Sequence, residues 1–274
     1  MICRAQQLQE WNVMIKSIIT RVQQGHRTIA YPAGPAPALP GRFRGRPLFD
    51  TAKCPDTCRQ CADACPTQAI AIADGKIKLD LGRCLFCTDC ADACPEKAIS
   101  YSTDYRLTVR QASDLIVDSD QELKLAAALD GKLRKLYGRS LQLRQVCAGG
   151  CNGCESDVNV LGTIGWDLSR FGISFVASPR HADGLLITGP VTENMKQALK
   201  IAYDALPNPK IVIAVGACAL SGGPYINHAE VNNGAASVVP IDLFIPGCPP
   251  HPMTILDGLL RLLGKIETAE EKSG

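Results

Sequence analysis

The chain has 274 residues, of which 46% are hydrophobic and 5% aromatic, so it is long enough for two modest globular domains. A formal net charge of +2 gives no large field of either sign, which argues against nucleic acid or an acidic surface as the main partner. No stretch approaches the roughly 18 consecutive apolar residues of a membrane span. Fourteen cysteines would suit a disulfide scaffold only in a small secreted protein. Because residues 1–20 lack the pattern of a signal peptide, we expect reduced thiols that bind metal.

The first segments are predicted to be a helix and an extended connector, together covering residues 1–47. Six apolar side chains recur at helical spacing within residues 8–22: Leu8, Trp11, Ile15, Ile18, Ile19 and Val22. We favour a helix that packs on a partner subunit, and a helix in the lipid interface is the alternative. Residues 31–47 are rich in proline and are predicted to form an extended strap. Its arginines Arg42, Arg44 and Arg46 are expected to be solvated, with contacts to an acidic partner or to cluster charge as the alternative.

The next domain, predicted for residues 48–118, contains an internal repeat. CRQCADACPTQAIAI recurs as CTDCADACPEKAISY about thirty residues later. A 4Fe-4S cluster needs four thiolates, and in this doubled motif the cysteine before proline ligates the other cluster. The motif therefore predicts cluster 1 on Cys54, Cys58, Cys61 and Cys94, and cluster 2 on Cys84, Cys87, Cys90 and Cys65. Zinc also accepts four thiolates and is the alternative. The Cys54 to Cys58 interval is one residue longer than usual, which is expected to shift the backbone and keep the ligand.

The second half is predicted to be an α/β domain after a linker helix. Leucines at near-helical spacing predict that helix over residues 119–138, with Ser119 or Asp120 as its N-cap and Gly131 as a weak point. Beyond Cys147, short apolar runs alternate with helical patterns: strands within 172–178, 184–190, 210–217 and 240–247, and helices over 154–169, 192–206 and 252–265. This alternation predicts an α/β flavodoxin-like domain with a mostly parallel sheet over residues 139–274, following an α+β two-cluster ferredoxin domain.

Four further cysteines predict a third cluster in the α/β domain. Cys218 and Cys248 each follow a predicted strand, and Cys151 and Cys154 precede a helix. Ligands collect at the carboxyl edge of such a sheet, and a helix N-terminus favours the negative charge of a cluster. We expect cluster 3, also 4Fe-4S, on these four thiolates, although each cysteine alone would more often be a small buried side chain. Neighbouring glycines permit close approach: Gly149, Gly150, Gly153, Gly222, Gly223 and Gly247.

Two sets of motifs resemble subunits of one enzyme. GGCNGCESDV, GACALSGG and PGCPP, within residues 139–266, resemble the small electron-transfer subunit of nickel-iron hydrogenases related to respiratory complex I. RFRGRP, the doubled cysteine motif and YSTDYRLTVR, within residues 31–110, resemble the ferredoxin subunit of formate hydrogenlyase-type complexes. The chain thus resembles a fusion of the two, and the resemblance makes cluster 3 the proximal cluster. Its first two ligands are adjacent in the complex I homologue but spaced C-x2-C here, which favours the hydrogenase branch.

The resemblance implies a non-catalytic, electron-transfer subunit of a membrane-associated oxidoreductase. In that family two C-x2-C pairs on a separate large subunit hold nickel and iron, and every cysteine pair here is already assigned. The implied partners are the large subunit, integral membrane subunits and a redox donor or acceptor, on the cytoplasmic face of the cell membrane. A complex I-like quinone oxidoreductase subunit and a stand-alone ferredoxin-type carrier or redox sensor are the alternatives.

A few polar residues and thiols near cluster 3 are candidates for other roles. The resemblance implies a proton relay at Glu155, whose alternative is a first-turn residue that complements the helix dipole. Asp157 has the same alternative. His251 is expected to start a helix, with a hydrogen bond to the cluster as the alternative. Cys147 is expected to be a buried thiol, and Cys3 has no assigned role.

Overall fold

The computed structural model describes residues 15–25, 27–55, 58–73, 76–119 and 123–266. Helix α1 covers residues 15–24, so the predicted N-terminal helix is confirmed there, while residues 8–14 and Cys3 lie outside the described residues. Every α1 side chain is exposed, including Ile15, Ile18, Ile19 and Val22. Across the described part of the chain, no helix has both the length and the apolar character needed to cross a bilayer.

In its described residues, the ferredoxin domain contains two small antiparallel sheets and two one-turn α-helices. Strands β1 (Pro47–Phe49) and β4 (Ile99–Tyr101) form one sheet, and β2 (Ile70–Ala73), β3 (Lys76–Asp80) and β5 (Ile116–Asp118) form the other. The KIKLD sequence of β3 alternates in polarity and buries Ile77 and Leu79. Helices α2 (Gln60–Asp63) and α3 (Asp89–Asp92) occupy equivalent places in the repeat, just before Cys65 and Cys94. The internal repeat of the sequence is therefore a structural repeat.

The linker helix predicted over residues 119–138 is wrong for residues 123–130, which are not helical. Helix α4 is only Gly131–Tyr137, and Asp130 caps it by accepting hydrogen bonds from the amides of Lys132 and Leu133 at 2.9 and 3.0 Å. Residues 123–130 instead run along the α/β domain, where Ala126 donates to Thr108 O and Leu129 donates to Leu262 O. The leucine spacing is helical, but tertiary burial and a strong cap at Asp130 decide the structure.

The α/β domain has a five-stranded sheet in which every pairing is parallel, as predicted. Its strands are β6 (Leu141–Cys147), β7 (Ile173–Phe175), β8 (Gly184–Thr188), β9 (Ile211–Val215) and β10 (Leu243–Ile245). Their order across the sheet, β10-β9-β8-β6-β7, is 2-1-3-4-5 when counted from β7, which is the flavodoxin-like order. The predicted fold class is confirmed. Strand β6 was missed because its LQLRQVC sequence mixes long polar side chains into a central strand.

Helices α5 (Gly153–Val160), α6 (Glu193–Asp204), α7 (Ala217–Ser221) and α8 (Pro252–Leu262) belong to this domain. The first is much shorter than the predicted helix over 154–169, because the chain turns after Leu161 and forms a 3-10 turn at Leu168–Phe171. Helix α8 is buried along its whole length. More side chains of the hydrophobic core on its face of the sheet come from α8 than from any other single element.

The two domains share a packed interface. The backbones of Val109 and Phe244 exchange hydrogen bonds of 3.1 and 2.9 Å, which adds a bridge to the outer strand β10. Arg110 Nε donates to Asp242 O at 2.6 Å, and Ser221 Oγ donates to Gly82 O at 2.9 Å. Phe244 also joins the hydrophobic core of the ferredoxin domain. These contacts bring the loops after β9 and β10 next to the ferredoxin loops.

Candidate metal centres

The thiols predicted for cluster 1 surround one small cavity of about 80 Å³. Cys54, Cys58, Cys61 and Cys94 all line it, together with the apolar side chains of Phe49, Ile72, Ile77 and Ile99. Burial raises the pKa of the Cys54 thiol, and the nearby Cys94 and Cys58 thiols raise it further. Cys94 therefore joins the three cysteines of the other half of the repeat, as the crossed pairing requires.

The thiols predicted for cluster 2 also lie together. Burial raises the pKa of Cys84 to about 12, and the Cys90, Cys65 and Cys87 thiols add to that shift. The pKa of Cys90 is likewise raised by burial and then by Cys87 and Cys65, against a hydrogen bond with Tyr101 that lowers it. Cys65 thus crosses to the second quartet in the same way that Cys94 crosses to the first.

Backbone amides point at several of these sulfurs. Ala69 N lies 3.2 Å from Cys65 Sγ, and Ala98 N lies 3.3 Å from Cys94 Sγ at the equivalent place in the repeat. Phe86 N lies 3.4 Å from Cys84 Sγ. An amide donor at a sulfur stabilises the thiolate, which is the form that binds iron. The donor set therefore fits thiolate ligation of an iron-sulfur cluster.

The four cysteines of the α/β domain converge at the carboxyl edge of the sheet. The pKa of Cys218 is raised to about 12 by burial, then by Cys248 and Cys151, and the pKa of Cys154 is raised by burial and then by Cys218. Cys151 and Cys154 follow β6, Cys218 follows β9, and Cys248 follows β10. Cys151 and Cys248 are exposed, so this quartet opens at the surface of the chain. Their ligation of iron stays a prediction.

Glycines make the space for these sulfurs. A Cβ on Gly223 would lie 2.8 Å from Cys218 Sγ, and Gly223 has a φ of 56°. A Cβ on Gly216, where φ is 88°, would collide with Cys154 Sγ. Glycine is therefore needed at both positions, because φ is positive and because a cysteine sulfur lies too close to where a Cβ would be. Gly223 is among the glycines expected from the sequence, whereas Gly216 is not.

Two pairs of neighbouring thiols indicate that the three quartets lie in a row. Burial raises the pKa of Cys61 to about 11, and the next cause is Cys90 of the second quartet. The pKa of Cys248 is raised by burial, then by Cys151 and by Cys87 of the second quartet. The second quartet is therefore the middle one, next to both of the others.

Glu155 is buried beside the third quartet, at the boundary between β6 and β8. Thr188 Oγ1 donates to its carboxylate at 2.5 Å, and only 7% of the residue is exposed. Burial raises the pKa of Glu155, but hydrogen bonds with Cys147 and Thr188 outweigh it and leave the pKa below its usual value. Cys147 is exposed, so the expectation that its thiol is buried was wrong: β6 ends there and the chain leaves the sheet.

The strap lies over the gap between the second and third quartets. A cavity of about 200 Å³ there is lined by Arg42, Phe43, Arg44, Asp157, Cys248 and His251, among others. Arg44 Nε donates to Phe86 O at 2.9 Å, so Arg44 is bound to the ferredoxin domain. His251 is the N-cap of α8, and its Nδ1 accepts from Met253 N at 3.1 Å. Burial raises the pKa of Asp157 and lowers that of His251.

Tyr101 is a site residue that sequence reasoning did not single out. Its hydroxyl donates to Cys87 O and lies 3.7 Å from Cys90 Sγ. Alignment of the two repeats contained the signal, because CPTQAIAI ends on Ile72 where CPEKAISY ends on Tyr101. Thr188 was missed for a different reason, since only the fold brings the end of β8 to Glu155.

Two family models match the chain. The description "4Fe-4S dicluster domain" matches residues 53–98, and "NADH ubiquinone oxidoreductase, 20 Kd subunit" matches residues 151–262. A probable membrane-bound hydrogenase subunit, mbhJ of Pyrococcus furiosus, is 43% identical over 135 residues, which are 49% of this chain and 81% of the relative. The chain belongs to the hydrogenase small-subunit family related to the 20 kDa subunit of NADH:ubiquinone oxidoreductase.

Other similar proteins include formate hydrogenlyase subunit 7 of Escherichia coli, 43% identical over 52% of this chain and 55% of the relative. A chain of the archaeal membrane-bound sulfane sulfur reductase is 34% identical over 52% of this chain and 78% of that chain, with a TM-score of 0.44. Together with the dicluster match, the family assignment shows that the chain is an iron-sulfur subunit of an oxidoreductase. The predicted fusion of a ferredoxin part with a small-subunit part is confirmed.

Proposed function

We propose that the chain is an electron-transfer subunit of a membrane-associated, formate hydrogenlyase-like nickel-iron hydrogenase, relaying electrons through three 4Fe-4S clusters. The observation that carries this proposal is the row of three cysteine quartets, in which Cys61 lies near enough to Cys90, and Cys248 near enough to Cys87, for the neighbouring thiol to raise its pKa. When bound, iron-sulfur clusters supply one-electron chemistry. The residues of the chain hold the clusters, set the distances between them and exclude water from clusters 1 and 2.

In this proposal the ligand sets are those expected from the sequence. Cluster 1 is held by Cys54, Cys58, Cys61 and Cys94; cluster 2 by Cys65, Cys84, Cys87 and Cys90; and cluster 3 by Cys151, Cys154, Cys218 and Cys248. The corresponding units are the helix and strap over residues 1–47, the ferredoxin domain over 48–118, the connector over 119–138, and the small-subunit domain over 139–274. The open cavity, the amide donors and the glycines at the sulfurs support this assignment.

The partner that receives or supplies electrons at cluster 3 is a large subunit that carries nickel and iron. The exposure of Cys151 and Cys248 supports this, because a protein surface that covers them would bring its own metal within reach of cluster 3. The named relatives include subunits of a membrane-bound hydrogenase and of formate hydrogenlyase. Integral membrane subunits and a redox donor or acceptor complete the proposed complex on the cytoplasmic face of the cell membrane. Glu155, buried beside Cys154, is its proposed proton relay.

A complex I-like quinone-reducing module and a stand-alone carrier remain the alternatives. The first shares the family model of the 20 kDa subunit, so quinone reduction without hydrogen evolution would favour it. The second uses only the ferredoxin half, and full function after Cys218→Ser would favour it.

The experiment is to tag this chain in its host, purify the complex anaerobically and measure nickel. We expect nickel to copurify in a constant ratio to the chain and to stay with a separate large subunit when the complex is dissociated. A complete complex that contains no nickel would exclude the hydrogenase proposal.

A further inference from the structure

The two halves of the ferredoxin domain differ in chemistry at one position that follows each crossing cysteine. Ala69 and Ala98 occupy the same place in the repeat, and their amides lie at nearly the same distance from Cys65 Sγ and Cys94 Sγ, 3.2 and 3.3 Å. The residues three positions later differ in chemistry. Ile72 lines the cavity of the first quartet, whereas Tyr101 presents a hydroxyl to the second.

The hydroxyl of Tyr101 lies between two acceptors of the second quartet's loop. It donates to Cys87 O and lies 3.7 Å from Cys90 Sγ, and Cys90 is only 7% exposed. Once Cys90 is a thiolate, neither neighbour has a proton to give, so the single hydroxyl proton is shared between Cys87 O and Cys90 Sγ in a three-centre hydrogen bond. The O–H dipole therefore faces the sulfur ligand from a region of low dielectric, where its effect is strengthened.

We propose that Tyr101 makes the reduction potential of the cluster held by Cys65, Cys84, Cys87 and Cys90 higher than that of the other ferredoxin-domain cluster. This inference rests on the proposed function, because it requires clusters at the two quartets. One-electron reduction adds a negative charge to a cluster and its sulfurs, and a hydrogen bond to sulfur stabilises that charge. Ile72 gives the first quartet no such dipole.

The difference between the two halves of the repeat would therefore favour electron transfer in one direction. Because the second quartet is the middle one, an electron shared between the two ferredoxin-domain clusters settles next to Cys87 and Cys248, on the side of the third quartet. Tyr101 is a tuning residue in this scheme and neither a ligand nor a proton carrier.

The test compares the intact complex with Tyr101→Phe in a dithionite-reduced, anaerobic potentiometric titration followed by electron paramagnetic resonance. Tyr101→Phe keeps the ring and removes the hydroxyl. We expect one ferredoxin-domain signal to move to lower potential by about 59 mV, which corresponds to a tenfold change in a one-electron equilibrium, while iron content is unchanged. The matched control is Tyr137→Phe, because the Tyr137 hydroxyl also donates to a backbone carbonyl, that of Pro209, and makes no hydrogen bond to a cysteine among the described residues. The control should shift no signal.

Unchanged potentials in Tyr101→Phe would overturn the inference, and so would an upward shift, which would mean that the hydroxyl turns its lone pairs to the sulfur. Absence of two 4Fe-4S signals from the ferredoxin domain would overturn it together with the ligand assignment. A complex without nickel that still shows the downward shift would support the inference while excluding the hydrogenase proposal, so the two failures are distinguishable.

Discussion

Replacing Gly216 by alanine tests whether the third quartet holds a cluster. Gly216 has φ 88° and ψ 153°, a region essentially confined to glycine, so alanine there costs about 1–3 kcal/mol in backbone strain alone. Its Cβ would also collide with Cys154 Sγ, which is held against the sheet edge and has little room to move. Strain and collision both act on one ligand of cluster 3 and on none of the eight cysteines assigned to clusters 1 and 2.

The assay for Gly216→Ala is iron and acid-labile sulfide per chain. Three 4Fe-4S clusters give about 12 irons, and we expect the variant to contain about 8 because only cluster 3 is lost. The matched control is Gly131→Ala, since a Cβ at Gly131 meets nothing within 4 Å and alanine favours the first turn of α4. A Gly216→Ala chain that keeps about 12 irons would refute the geometry derived for the third quartet.

Three further predictions concern Glu155, the strap and the thiols. Glu155→Gln is expected to keep the iron content but to lower hydrogen turnover about 100-fold, as for loss of an acid-base group; turnover equal to wild type would remove Glu155 as a relay. Tyr31 donates to the buried Asp257 at 2.8 Å, so Tyr31→Phe should lower the free energy of unfolding by about 1–3 kcal/mol, measured by denaturant titration, while the exposed control Tyr225→Phe leaves it unchanged. Burial raises the pKa of Cys61 to about 11 and of Cys84 to about 12, so the folded, cluster-free chain binds these protons more tightly than the unfolded chain. That stabilisation is fully present below about pH 8.5, the unfolded thiol pKa, and is lost as the pH rises through 11 to 12. A free energy of unfolding that stays constant over that range would contradict the burial of these thiols.

The sequence groups the cysteines more directly than it predicts the helices and strands that carry them. Cysteine spacing has a strict meaning because a cluster fixes the number and reach of its thiolates, so the crossed grouping of Cys65 and Cys94 followed from the motif alone. Apolar runs such as IVIAV in β9 are buried on both faces and were recognised as strands of a parallel sheet. The cysteine spacing and the apolar runs are both local signals, so they can be recognised in a single sequence.

What the sequence did not predict depends on tertiary contacts. The leucines of residues 123–129 have helical spacing, yet Leu129 and Ala126 are buried in a non-helical segment that donates backbone hydrogen bonds to Leu262 and Thr108. Cys147 is an ordinary hydrophobic thiol by type, and its exposure follows only from where β6 ends. The hydrogen bond between Thr188 and Glu155 and the proximity of Cys87 to Cys248 join residues far apart in the chain, and both appear only once the sheet order is known.

Hydrogen-driven reduction of the ferredoxin-domain clusters in the purified complex tests the proposed electron relay most directly. Electron paramagnetic resonance under hydrogen, compared between wild type and Cys218→Ser, follows electrons from the partner through the third quartet to the other two. We expect hydrogen to reduce the ferredoxin-domain clusters in wild type and to fail to reduce them in Cys218→Ser, although dithionite reduces them in both. Equal reduction by hydrogen in the two proteins, or none in wild type, would contradict the proposed relay.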